Sequence, residues 1–164
     1  EGGAEGMIVT EGGRFGGYGL FLSKGEFGFG RGHVVFLYNF LDLKRTMWEG
    51  PYLEPGKHTI VFDYRSDGPE LGKGGTGTLY VNDRKVGEGR IERTQPMIFS
   101  ADETADVGID LASPVVESIG SEAKSRFTGK VQKVTIEVKE VKAAASEADQ
   151  QALREAHARK TLAE

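Results

Sequence analysis

The segment Arg14-Phe15-Gly16-Gly17-Tyr18 sets one cation and two aromatics in a glycine-rich stretch. Glycine lets a backbone approach its neighbour closely. Two readings stand side by side: a β-turn with an exposed Arg, or a docking loop that inserts into a neighbouring domain or site. Gly72-Lys73-Gly74-Gly75-Thr76-Gly77 spells GxGxxG. A dinucleotide fingerprint must follow a strand and open a helix, so that the helix N-terminus faces the pyrophosphate. Here the glycines run into Thr78-Leu79-Tyr80-Val81, a strand pattern, and the stretch reads as a glycine-rich loop carrying Lys73 into a strand.

Other groupings are weaker. Asp102, Glu103, Asp106 and Asp110 supply oxygen ligands at a spacing that can hold calcium, but the EF-hand order is absent. Turn chemistry and solvated acids are the favoured reading of the cluster. His33, His58 and His157 lack the HExxH spacing of a metal site. Ser113-Pro114 lacks the flanking glycines of a nucleophile elbow. Glu137 and Glu140 are three apart, so a strand would aim them at opposite faces. No complete active site is visible.

The elements that must position these residues are marked by composition. The chain has 164 residues, a net charge of −4 and no cysteine. Disulfides, a Cys-based zinc site and a Cys nucleophile are excluded. The mild acidity argues against a nucleic-acid partner, which wants a basic surface. No apolar run approaches the roughly 20 residues of a membrane span, so no membrane partner is expected. Glu1 to Gly6 carry no basic or apolar stretch, and no signal peptide is expected. Cysteine usage leaves the compartment open between periplasm and cytoplasm.

All 24 glycines lie between Gly2 and Gly129, punctuating short apolar runs where turns and strand ends belong. The runs are Met7 to Thr10, Tyr18 to Ser23, His33 to Leu43, Arg45 to Gly50, His58 to Tyr64, Thr76 to Val81, Lys85 to Arg93 and Phe127 to Val141. His33 to Leu43 is apolar on both faces, as in a strand buried inside a sandwich. Asn82-Asp83 reads as a hairpin turn. The spacing predicts an all-β sandwich spanning residues 1–142. Residues 143–164 hold eight alanines and no glycine or proline, which predicts a helical or disordered tail. With Leu153 and Leu162 as its only large apolar residues, that helix would be marginal alone. It either frays or docks on a neighbouring domain or a partner chain, the latter making the protein a homo-oligomer.

Five segments taken in order resemble the C-terminal region of large bacterial arylsulfatases. They are Glu11 to Leu22 (EGGRFGGYGLFL), Lys57 to Tyr64 (KHTIVFDY), Asp67-Gly-Pro with Gly72 to Gly77, Asp102 to Asp110 (DETADVGID) and Phe127 to Val131 (FTGKV). The resemblance covers roughly Gly6 to Val138. Val115 to Arg126 departs from it, because the family has an aromatic-containing segment there. The resemblance implies a concanavalin A-like jelly-roll β-sandwich appended to an N-terminal sulfatase catalytic domain. That family hydrolyses sulfate esters with a formylglycine, made in a Cys/Ser-x-Pro-x-Arg motif, beside a calcium ion. The motif is absent, so no catalytic residue carries over, and this segment needs no cofactor of its own. The resemblance therefore implies a non-catalytic accessory domain that packs on the catalytic domain and shapes the substrate entrance. Arg14, Phe15 and Tyr18 would form the docking loop, with Lys73 in a second loop. A lectin-like, sugar-binding module is the alternative, with Trp48, Tyr52 and Tyr18 as stacking candidates, although Trp48 also reads as core. A third reading is an assembly module using the tail.

Overall fold

Alternating side chains need a second apolar surface to bury one face of each strand, and two sheets supply it here. The computed structural model describes residues 3–24, 32–96, 99 and 103–139. Strands β1 (Gly6–Gly13), β2 (Gly16–Ser23), β3 (His33–Phe40) and β4 (Lys44–Tyr52) form an antiparallel meander. The short β8 (Ala105–Val107) pairs with the far edge of β1, giving the order β4-β3-β2-β1-β8. Strands β5 (Ile60–Ser66), β6 (Lys73–Val81) and β7 (Arg84–Arg93) form a second antiparallel sheet. The expected all-β sandwich is present.

The core between the sheets joins Leu20, Leu22, Val34, Phe36 and Trp48 of the first sheet to Leu79, Val81 and Ile91 of the second. Phe36 and Phe62 stack across this gap, and Trp48 meets both rings edge-on. The other face of the first sheet is also covered. Met7, Phe21, Val35 and Leu37 are buried beneath Val115 and Val116, with Ile119 packed alongside. The two apolar faces of β3 therefore have two different covers: the second sheet and an irregular strap, residues 108–126. The strap is held by Ser125, whose Oγ accepts from the Asp110 amide (2.8 Å) and whose carbonyl accepts from the Met7 amide (2.7 Å).

Four expectations are corrected in detail. The run from His33 to Leu43 is not one strand. It ends at Phe40, and Leu41 (φ 53°) and Asp42 (φ 57°) form a left-handed turn closed by Leu43 N to Phe40 O at 2.9 Å. Asn82 (φ 48°) and Asp83 (φ 63°) make the same kind of turn, as their residue types predict. Such paired positive φ values match the twist of hairpin strands. Of the run Phe127 to Val141, residues 127–139 do not form the strand that its alternation predicts, and residues 140 and 141 lie outside the described residues. Phe127 N donates to Gly108 O and Thr128 N to Glu5 O, yet residues 127–139 join neither sheet, and Val138 is 92% exposed. Alternation supplies a stripe, but a strand also needs a ladder of backbone bonds to a neighbour, and the bonds of Phe127 and Thr128 do not extend into one. Lys73 opens β6 opposite Arg93, so it stands on a strand rather than in a loop. Finally, the glycines do not only mark turns, since Gly74, Gly75 and Gly77 lie inside β6 and Gly87 and Gly89 inside β7. The tail, residues 143–164, lies outside the described residues.

Candidate functional site

Arg14 and Phe15 form the tight turn between β1 and β2, and the structure braces that turn from three sides. The buried Asn39 side chain donates from Nδ2 to the Arg14 carbonyl (2.7 Å) and accepts at Oδ1 from the Asp42 amide (3.1 Å). One amide thus ties the β1–β2 turn to the β3–β4 turn. The Arg14 amide donates to Ser113 Oγ (3.0 Å), and Ser113 Oγ donates to Glu103 Oε1 (2.6 Å). The Arg14 guanidinium lies 3.4 Å from Glu117 and 4.0 Å from Asp42. It sits 5.9 Å from the centre of the Phe15 ring.

Phe15 itself stays 68% exposed at the tip of this rigid turn. Leu41 and Leu43, on the neighbouring turn, are exposed as well. An aromatic held out by a fixed backbone forms an apolar contact with little further ordering cost.

Tyr18 is not part of that exposed surface. It lies on β2 opposite Glu11, with its ring stacked on Phe36 and edge-on to Phe99. Burial, with the Glu11 carboxylate beside it, holds its phenol above the usual tyrosine range. Lys73 belongs to the other sheet. Its ammonium is 3.7 Å from Glu70, and its carbonyl accepts from Thr94 Oγ1 (2.7 Å). The expected site residues therefore divide: Arg14 and Phe15 share one turn, Tyr18 supports the core beneath, and Lys73 stands apart.

The acidic cluster serves the strap. Glu103 accepts from Ser113, Asp106 Oδ2 from the Leu111 amide (3.0 Å) and Asp110 Oδ2 from the Val115 amide (3.0 Å). Asp102 lies outside the described residues. Among the described residues, no three His, Cys, Asp or Glu side chains converge on a point that could hold a metal ion. Asp110 is fully buried, and burial is the main cause that pushes its carboxyl up to about 6.

Trp48, a stacking candidate for a sugar, is 3% exposed and belongs to the core. Tyr52 is exposed, with His33 edge-on to its ring. A surface that the motifs did not single out lies on the outer face of the second sheet. There a groove of about 350 Å³ is lined by Arg65, Asp67, Thr76, Thr78, Tyr80 and Glu88 among others. The available signal was the period-2 alternation of β6, which sends Thr76, Thr78 and Tyr80 to one face. Comparison with family models, curated proteins and solved structures returns no match.

Proposed function

We propose that the chain is the non-catalytic C-terminal β-sandwich, of concanavalin A-like jelly-roll type, of an arylsulfatase-like sulfate-ester hydrolase. It packs on the N-terminal catalytic domain through the Arg14–Phe15 turn and shapes the substrate entrance. The observation that carries the docking role is Phe15, exposed on a turn fixed by Asn39, Ser113 and Glu117. Interface anchors are typically aromatic or Arg side chains, and this turn presents one of each. The ordered series of sequence segments supports the parent class. Formylglycine and calcium belong to the catalytic domain in this reading, because the chain lacks the motif that makes the former.

The test is made on the full-length enzyme, with Arg14→Ala and Phe15→Ala. Turnover of an aryl sulfate and thermal unfolding of the catalytic domain are the readouts. Loss in either supports docking; unchanged kinetics and stability overturn it.

A further inference from the structure

The outer face of the second sheet is a three-by-three array fixed by strand register. Arg65, Thr76 and Arg90 form one cross-strand row. Asp63, Thr78 and Glu88 form the next. Val61, Tyr80 and Lys85 form the third. A row rich in cationic donors thus adjoins a row rich in carboxylate acceptors, and an aromatic ring stands in the row beyond.

The charges in this array are balanced and held in place. Arg90 forms a two-pronged pair with Asp67 (2.8 and 2.6 Å) and reaches Thr76 Oγ1 (3.3 Å). Lys85 pairs with Glu88 (2.6 Å) and Arg65 with Asp63 (3.1 Å). Thr78 Oγ1 is 3.4 Å from Glu88. Three cations face three carboxylates, so neither an anion nor a cation is favoured by net charge. The surface is instead dense in paired donors and acceptors, each with unused hydrogen-bonding capacity.

We infer that this groove binds a neutral saccharide. A sugar ring has one apolar face and a rim of hydroxyls, each both donor and acceptor. The apolar face stacks on Tyr80. The hydroxyls donate to Glu88 and Asp67 and accept from Arg65 and Thr76. The volume of about 350 Å³ sits at the small end of the roughly 300–1,000 Å³ of ligand sites. Strand-borne side chains already locked in ion pairs lose little freedom on binding. The site is separate from the Arg14–Phe15 turn and does not rest on the docking reading.

The experiment titrates the 164-residue chain by calorimetry with cellohexaose, xylohexaose and mannohexaose, and with chondroitin sulfate as the anionic counterpart. At least one neutral hexasaccharide is expected to bind. Tyr80→Ala and Thr76→Val should each weaken that binding by about tenfold, the loss of one stacking or hydrogen-bonding contact. Phe15→Ala should leave it unchanged. Folding of each variant is read from the fluorescence of Trp48, the single tryptophan. Should Tyr80→Ala not fold, Thr76→Val and Glu88→Gln carry the test. Absence of binding to all three neutral probes, binding that the groove variants retain in full, or preference for chondroitin sulfate overturns the proposal.

Discussion

The indole Nε1 of Trp48 donates to the carbonyl oxygen of Gly77 at 3.0 Å, a buried bond that ties the first sheet to the second. The bond exists because the facing strands lack side chains there. Gly77 of β6 and Gly89 of β7 are register partners, and both lie against the indole. Their missing side chains leave a slot in which a large ring reaches a backbone carbonyl. The glycine-rich letters of residues 72–77 thus encode room for an aromatic core.

Gly77→Ala should destabilise the chain by about 1–3 kcal/mol, the usual cost of overpacking a filled core. A Cβ at that position comes within 2.5 Å of the Phe62 ring and 2.8 Å of Trp48. Trp48→Phe should cost a similar amount by a different route, since it empties space and leaves the Gly77 carbonyl without its indole donor. Urea unfolding checks both, followed by tryptophan fluorescence for the first and circular dichroism for the second. A midpoint unchanged in either variant would refute this account of the interface.

Asn39→Ala should cost about 1–3 kcal/mol, because two part-buried backbone groups lose partners at once. Asn39 serves the Arg14 carbonyl and the Asp42 amide together, so both turns should loosen. Amide hydrogen exchange at Asp42 should rise in the variant while the β5–β7 sheet stays protected. Uniform loss of protection across both sheets would show that Asn39 acts on the whole fold and not on the turns.

Phe15→Ala should change the stability of the isolated chain by less than about 0.5 kcal/mol, as for other surface positions. The ring is mostly exposed and contributes little to the core. A larger loss in thermal unfolding would mean that Phe15 is held for stability, which would undercut its role as an anchor.

These positions also show what the sequence could and could not convey. The locations of β1 to β7 were legible, because short apolar or alternating runs bounded by turn residues are a local property of the sequence. The Asn82-Asp83 turn was legible for the same reason. The Leu41-Asp42 turn was not, since Leu rarely adopts positive φ and the brace is Asn39, a residue inside the strand itself. The strap was invisible because no periodicity marks Val115 and Val116; only the exposed apolar face of β3 creates a place for them. The Arg14–Phe15 turn was legible as a glycine-flanked Arg-Phe pair. The separation of Tyr18 from it was not, because one residue of parity decides which face a ring takes.

Asp110 supplies a pH test of the strap. Its Oδ2 accepts from the Val115 amide, while Oδ1 is buried with no hydrogen-bond partner among the described residues. Burial raises its carboxyl from an ordinary 3.8 to about 6, and the charges of Asp106 and Glu103 add to the rise. Between those two values the folded chain binds more protons than the unfolded one, so this group's contribution is full below about pH 4 and is lost as pH rises through 6. The loss is on the order of 2–3 kcal/mol. Asp67 and Glu88 act in the opposite sense, because Arg90 and Lys85 hold their carboxyls below the usual range. The difference between Asp110→Asn and the unaltered chain isolates the one group from the others. That difference should favour the variant progressively from pH 4 to pH 7 in urea unfolding, since Asn keeps an acceptor for Val115 and never ionises. A difference that stays constant with pH would mean that Asp110 titrates alike in the folded and unfolded chain, and that the strap is held by Val115, Val116 and Ser125 without its help.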